Sequence, residues 1–482
     1  MYCKNSELVL PHIYPVACHT DNVGPGSVFV AIRGAEQNGE NYITDAVEKG
    51  ASAIVMDENS ELLPDVLVFV KEKGIKISRV SNTRKALAEL SSSVLGCPSS
   101  KLSVIGVTGT KGKTTSVYVI EHLLRCAGYK TALLSTVENK IGTMACRASL
   151  TTQQPDYLHV FFNECVKQNV DYVVMEVAAQ ALSLHRTDGI LFDSVLFTNL
   201  SLEHSEFYSS IEEYFKAKAL LFKQVKNPEF VFVNCDDEHG REVLKKNLSY
   251  CSFSLKDKSS VFCADVHESS LKKLSMSIFD KGECFNIESF SLVGEFNAYN
   301  ILGAYCVVRS LGVFPKKLVK ACESLPSVSG RLEKYKLPNG AHCFVDYAHN
   351  PSSYEAVLST MRSFSSHLIV VFGAGGSRDV TKRPQMGKIA SQYADVVVLT
   401  SDNPRTEDPS NIINDIVKGI DRENINKVFV ELDREKAIYK AYEFSGNEST
   451  IMLLGKGPDE YQIIKGVKSF FSDSGVVKSI VW

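Results

Sequence analysis

The sequence predicts an α/β protein of three domains, and three observations carry that prediction. The chain has 482 residues, 44% of them hydrophobic, which is enough for two to four buried cores. From residue 102 onward, buried-type runs alternate with helical patterns: "LSVIGVTG" (102–109), "VDYVVMEV" (170–177), "DSVLFTNL" (193–200) and "FVFVNC" (230–235). This βαβ alternation builds an open, mostly parallel sheet. Two turn-rich breaks, "LGCPSS" (95–100) and "SVSGRLE" (327–333), then divide the chain into 1–97, 98–328 and 329–482.

The elements follow in order. Residues 1–97 hold strand-like runs such as "SVFVAI" and "ASAIVM" with helical patterns between them. The second segment carries the alternation just described, and its more polar stretch at about 250–292 is expected to be an antiparallel insertion. In the third segment "HCFVDYAH", "HLIVVFGAGG", "ADVVVLTSDNPR", "KVFVEL" and "STIMLLGKG" are strands that end in Gly- or Asp-bearing loops. That is a Rossmann-like α/β domain with its working loops at strand C-termini.

Composition narrows the function. A net charge of -3 argues against general nucleic-acid binding. No run of about 18 apolar residues occurs, so no membrane span is expected. The N-terminal "MYCKNSELVLPHIYP" does not read as a secretion signal. Thirteen cysteines, none in a Cys-x-x-Cys pair, fit reduced thiols in a cytoplasmic protein rather than a disulfide frame or a zinc site.

The chemistry begins at "VIGVTGTKGKTTSVYVIEHLL" (104–124). The strict phosphate-loop pattern, G-x-x-x-x-G-K-[ST], is missed because Val107 stands at the first Gly position. Gly109, Thr110, Lys111, Gly112, Lys113, Thr114 and Thr115 nevertheless lie directly between a strand and a helix. Glycines let backbone N–H groups turn toward an anion, and a helix N-terminus favours negative charge. Lys113 can reach the outer phosphates, and Thr114 can offer its hydroxyl to Mg²⁺. The central sheet is therefore expected to be of P-loop ATPase type. Glu176 and His204 end neighbouring strand regions, where a carboxylate and an imidazole could serve a metal. The plain alternatives are a solvated strand end and a satisfied loop histidine.

At this point several motifs, in order, resemble the Mur ligase family: "GVTGTKGKTT" (106–115), "MEVAAQALSLHR" (175–186), "FTNLSLEH" (197–204), "YFKAKALLF" (214–222), "GEFNAYN" (294–300), "SGRLE" (329–333) and "DYAHNP" (346–351). The resemblance implies a UDP-substrate-binding domain at 1–97, an ATP-binding domain at 98–328 and an amino-acid-binding domain at 329–482. It also implies ATP-dependent amide formation: ATP phosphorylates a substrate carboxylate, and an amine displaces the phosphate. By resemblance, Lys113, Glu176, His204 and Lys218 carry the chemistry, with Lys218 as a CO₂-derived carbamate that helps Thr114, Glu176 and His204 hold Mg²⁺. The residue pattern alone would make Lys218 an exposed helix lysine. Asn297 and Asn300 resemble adenine-side contacts, and Arg331, Asp346 and His349 resemble residues brought onto ATP. Asp346 and His349 could instead be local turn caps.

The resemblance further implies UDP-N-acetylmuramoyl-L-alanyl-D-glutamate as acceptor. Thr20, Thr151, Thr152, Arg186 and Lys218 would bind it, although the Thr pair could equally cap a helix. Ala178 and Leu184 depart from the family's common Ser and Gln, with Gln180 or Ser183 as possible replacements. Asp402, Asn403, Pro404 and Arg405 match the signature of the branch that adds meso-diaminopimelate. A guanidinium can grip that amino acid's second carboxylate through two parallel charge-assisted bonds. Lysine lacks the carboxylate and would leave a buried Arg unpaired. Without the family, the same residues make a turn with an Arg at its rim. Arg378, Gly455 and Asp459 align with other amino-acid contacts. The family usually has Glu where Asp459 stands, so Glu460 is an alternative acceptor. A monomer is expected. The competing readings are an L-lysine-adding ligase, a folylpolyglutamate-synthetase-like ligase, and a P-loop ATPase switch.

Overall fold

A computed structural model of the chain describes residues 6–34, 37–201, 203 and 207–481. The chain divides into two compact units, one built mainly from residues before about 322 and the other mainly from residues after it.

The first unit holds a four-stranded parallel sheet, in the order Val16–Ala17, Val28–Val30, Ala53–Asp57, Lys76–Val80. It also carries a twelve-stranded sheet centred on Ser103–Thr108. That strand lies between Tyr172–Glu176 and Ser194–Phe197, parallel to both. Its residues Val104 to Thr108 are buried, the mark of a strand covered on both faces. The helix Lys113–Cys126 follows directly, with Thr114 to Leu124 all buried. Strand, loop and helix therefore follow one another as the sequence predicts, and the sheet order sets them in its middle.

The stretch expected to be an antiparallel insertion begins otherwise. Cys251–Ser254 pairs parallel to Val231–Asn234, and Phe262–Ser269 pairs parallel to Cys251–Ser254. These two strands extend the parallel run on one side, and Thr131–Leu134, parallel to Tyr172–Glu176, extends it on the other. Burial runs in blocks along both strands, at the C-terminal half of Cys251–Ser254 and the first three residues of Phe262–Ser269, so the polar, part-covered look of the sequence does not fix strand direction.

The second unit is built on a six-stranded sheet in the order Glu333–Lys336, His342–Asp346, Ser449–Leu454, His367–Phe372, Val396–Leu399, Val428–Val430. The first strand pairs antiparallel and the rest are parallel. Side chains alternate between two cores: Leu368, Val370 and Phe372 enter one, Ile369 and Val371 the other. Because neighbouring strands run the same way, the segments after Asp346, Phe372, Leu399 and Leu454 all emerge at one edge. That edge is where open α/β sheets bind ligands.

Candidate active site

In the first unit the phosphate loop is shaped by two glycines in the left-handed region. Gly109 has φ 146°, and a Cβ there would come within 1.9 Å of Thr198 Oγ1. Gly112, with φ 84°, is the helix N-cap, and a Cβ there would come within 2.3 Å of Asn300 Oδ1. Any larger residue would be both strained and clashing. The loop is tied to the segment after the neighbouring strand. Asn199 Oδ1 accepts from Lys111 N at 2.9 Å, Asn199 Nδ2 donates to Lys111 O at 3.1 Å, and Thr110 N donates to Asn199 O at 2.9 Å. Asn199 was not foreseen, because nothing in its local pattern distinguishes it from an ordinary turn residue.

Lys113 Nζ donates to Gly109 O at 2.8 Å and to Thr110 O at 2.9 Å. Lys218 Nζ donates to the same Gly109 oxygen at 2.8 Å, from the helix Ile211–Ala219. Lys218 is 1% exposed, so the exposed-helix reading of its pattern is overturned. Packing of that helix face against the loop overrides the polar look of "FKAKA". Burial, and secondarily the charge of Lys113, pushes the Lys218 amine well below the usual lysine range.

Glu176 pairs in register with Val107, so its strand ends beside the phosphate loop. It is 1% exposed, not a solvated strand end. Its carboxylate accepts from Thr136 N at 2.7 Å and Thr136 Oγ1 at 3.2 Å. Thr136 Oγ1 also lies 3.2 Å from Thr151 Oγ1, and since its one proton goes to the carboxylate it accepts from the Thr151 hydroxyl. Thr152 Oγ1 donates to Glu176 O at 2.9 Å and accepts from Ala178 N, and Arg186 donates to Thr152 O at 2.8 Å. Glu176, the Thr pair and Arg186 are therefore one connected cluster, with Thr136 as a member the sequence did not single out. The Thr pair caps no helix: the next one starts at Pro155 with Gln154 as its N-cap and no side-chain cap bond. Ser183, a suggested replacement, is bonded to Tyr208 at 3.1 Å. Thr20 is buried and bonds the Asp45 carboxylate, lowering that carboxyl's pKa. Thr114, Thr115 and Asn300 are buried, and Ser116 Oγ donates to Asn300 at 3.4 Å. His204 lies outside the described residues. Among the described residues no group of three or more His, Cys, Asp or Glu could hold a metal by itself, and no helix is long and apolar enough to cross a membrane.

In the second unit, Asp346 spends both carboxylate oxygens on backbone, accepting from Leu332 N and Ala348 N at 2.8 Å each. It organises its own turn, and burial raises its pKa. Arg331 lies over the Tyr347 ring at 5.0 Å, and His349 Nδ1 is 2.8 Å from Tyr347 O. Asn297 donates to Val293 O at 2.7 Å.

The amino-acid loops meet one another closely. Arg405 adopts φ 56° and donates through Nη1 to Gly376 O at 2.7 Å. Its N–H donates to Ile463 O at 2.9 Å, and Gly376 N donates to Asn403 O at 2.9 Å. Pro404 is buried next to it. Arg383, fully buried, grips Glu407 through two 2.7 Å bonds and Asp415 through one of 3.0 Å. It braces the segments that bear Arg405 and Arg378, and Arg378 itself is exposed. Asp402 Oδ2 lies 3.2 Å from where a Cβ on Gly455 would be. Asp459 is half-buried, its N–H bonded to Lys456 O, and Glu460 is exposed.

Comparison with known proteins identifies the architecture. Residues 12–94 match the catalytic domain of the Mur ligase family, 107–308 the Mur ligase middle domain, and 330–457 the Mur ligase glutamate ligase domain. A UDP-N-acetylmuramoyl-L-alanyl-D-glutamate–2,6-diaminopimelate ligase of Clostridium botulinum is 38% identical over 465 residues, covering 95% of this chain and 93% of that protein. The chain belongs to the Mur ligase family. A ligase of the same description from Aquifex aeolicus is 37% identical, covering 98% of this chain and 94% of its own length. Among solved structures, a diaminopimelate ligase described in the same words superposes with a TM-score of 0.66 at 28% identity, over 97% of this chain and 94% of its own. The MurF ligase of Thermotoga maritima, solved with ADP, has a TM-score of 0.65 at 19% identity, over 91% of this chain and 93% of its own. That likeness is one of fold. This Mur ligase therefore has the mixed α/β fold and large, mostly parallel central sheet read from its sequence.

Proposed function

We propose that this Mur ligase joins meso-2,6-diaminopimelate to the D-glutamate γ-carboxylate of UDP-N-acetylmuramoyl-L-alanyl-D-glutamate, with ATP, in peptidoglycan precursor synthesis. The observation that carries the reading is the pair of lysine Nζ groups on the Gly109 carbonyl, beside a buried carboxylate at the end of the adjacent strand. A carboxylate is a poor electrophile. Phosphorylation by ATP gives it a leaving group, and the crowded negative charge needs cations set in place beforehand. Lys113, now held by loop carbonyls, exchanges those oxygens for phosphate oxygens. The acceptor carboxylate attacks the terminal phosphorus, ADP leaves, the amine adds to the acyl carbon, and phosphate departs as the amide forms.

Burial, and then the Lys113 charge, disfavour the ammonium form of Lys218; once its proton is shed the amine adds CO₂, and the resulting carbamate puts an anion where a cation would be repelled. The hydroxyl of Thr114, the Glu176 carboxylate and the Lys218 carbamate are hard oxygen donors of the kind Mg²⁺ takes, together with His204. The ion would offset phosphate charge. Thr20, Thr151, Thr152 and Arg186 bind the acceptor, and Asn297, Asn300, Arg331, Asp346 and His349 serve the ATP end. Arg378, Asp402, Asn403, Pro404, Arg405, Gly455 and Asp459 form the amine site. Domains at 1–97, 98–328 and 329–482 divide these tasks.

Phosphate release with the UDP-linked dipeptide as acceptor, measured with meso-diaminopimelate and with L-lysine, tests the reading. The expected result is faster turnover with diaminopimelate. Faster turnover with lysine makes it the lysine-adding ligase, and ATP consumption independent of acceptor and amine makes it an ATPase switch.

A further inference from the structure

Lys456 is a buried cation that the reaction scheme leaves unused. It is 0% exposed, in the loop that follows Ser449–Leu454. Its three N–H groups face three oxygens: Tyr461 O at 2.7 Å, Asn403 Oδ1 at 3.3 Å and Asp402 Oδ1 at 3.4 Å. Burial lowers its pKa, and the Asp402 carboxylate acts in the opposite sense. One side chain thus ties the 455–462 loop to both residues that precede Pro404 and Arg405.

The contact with Asn403 has a directional consequence. Asn403 Oδ1 also accepts from Ile463 N at 3.0 Å. Two donors converge on that oxygen, so the amide cannot be the other way round. Its Nδ2 end then faces away from Lys456 and Ile463, as a donor. Gln462 Nε2 donates to Asp402 O at 2.8 Å, and Arg405 N donates to Ile463 O at 2.9 Å, so the backbone on either side of Asn403 is pinned as well.

We propose that Lys456 is a positioning residue for amine selection. It fixes the Asn403 amide and the Asp402–Arg405 loop, so that an amide N–H and a guanidinium are presented together to the distal carboxylate of a diamino diacid. A carboxylate gripped by a fork and a second donor in fixed geometry is bound strongly, whereas the same donors on a loose loop are not. This inference rests on the amine-site reading given above.

The test uses full-length enzyme with Lys456→Met, which keeps the length of the side chain and removes its donors. The KM for meso-diaminopimelate is expected to rise about tenfold or more. The KM values for ATP and the UDP-linked acceptor should stay within about twofold, because the side-chain bonds of Lys456 go to Asp402, Asn403 and Tyr461. Preference for diaminopimelate over lysine should fall in parallel. An unchanged KM for diaminopimelate, or a common shift in all three KM values, overturns the proposal. If Lys456→Met does not fold, Lys456→Gln, which retains two N–H donors, takes its place with the same expected split. Failure of both to fold overturns the positioning role in favour of a purely structural one. If the wild-type enzyme prefers lysine, the amine-site reading fails and this inference falls with it. A diaminopimelate-preferring wild type with an unaffected variant sinks this inference alone.

Discussion

The phosphate loop and the amine loops do comparable work by different means. The phosphate loop is a short local device: strand, two left-handed glycines, then a buried helix, with Asn199 as its main distant tie. The proposed amine site is assembled from three loops far apart in sequence, around residues 375, 403 and 456, tied together by side chains. Phosphate is recognised by backbone N–H groups and a helix end, which any chain can supply once its dihedrals are set. A particular amino acid is recognised by side chains at fixed separations, and those require tertiary support.

The comparison predicts that the local device breaks abruptly and the assembled one by degrees. Lys113→Ala removes the cation proposed to meet the terminal phosphates and should cut ligation by about 10³-fold or more while circular dichroism and the melting temperature hold. Retained turnover would dissolve the contrast. Gly109→Ala adds one carbon against Thr198 at a strained φ, and a loss of about 100-fold in kcat is expected from misplacing the loop. Arg405→Lys keeps a charge but not the fork, so kcat/KM for diaminopimelate should fall about tenfold with ATP affinity unchanged. Unchanged kinetics at subsaturating amine would remove Arg405 from the grip.

A gentler probe touches only Lys218. Its depressed pKa favours the neutral amine that the proposed carbamate requires, and that form becomes scarcer as pH falls. Removing dissolved CO₂ should lower kcat, more at mildly acidic than at alkaline pH, and bicarbonate should restore it. A fully active enzyme whose intact mass shows a bare amine would refute the carbamate. The smallest effect concerns stability. His159 is fully buried, and burial lowers its pKa to about 4 from 6.5. Unfolded chains take up its proton below 6.5 and the folded chain only near 4, so stability should fall as pH drops through that window. The limiting loss is about 3 kcal/mol at roughly 1.4 kcal/mol per pKa unit. Urea titrations of His159→Phe should show a flatter dependence between those pH values.

The strand–glycine–helix arrangement at 103–126 was legible from the chain because period, turn chemistry and the Lys-Thr pair all sit within about one supersecondary unit. The strands at 251–254 and 262–269 were read with the wrong direction, since alternation reports which face is covered and not which way a neighbour runs. Lys218 looked exposed because a nine-residue helix with charges around it carries no local sign of which side will be covered. Thr136 and Asn199 were missed for a related reason, since a lone Thr or Asn in a turn has the same local pattern whether or not a carboxylate or a loop reaches it.

By itself, then, the amino-acid order determined the α/β class, the succession of strands, the phosphate loop and the family motifs, because each depends on residues close together along the chain. Only the tertiary structure decided that Lys113 and Lys218 share one carbonyl oxygen, that Glu176 leans on Thr136, and that Lys456 holds Asn403. Apart from the local Lys113–Gly109 bond, those contacts join residues 40 to 109 positions apart. Their geometry is fixed by sheet order and loop packing, which no local pattern encodes.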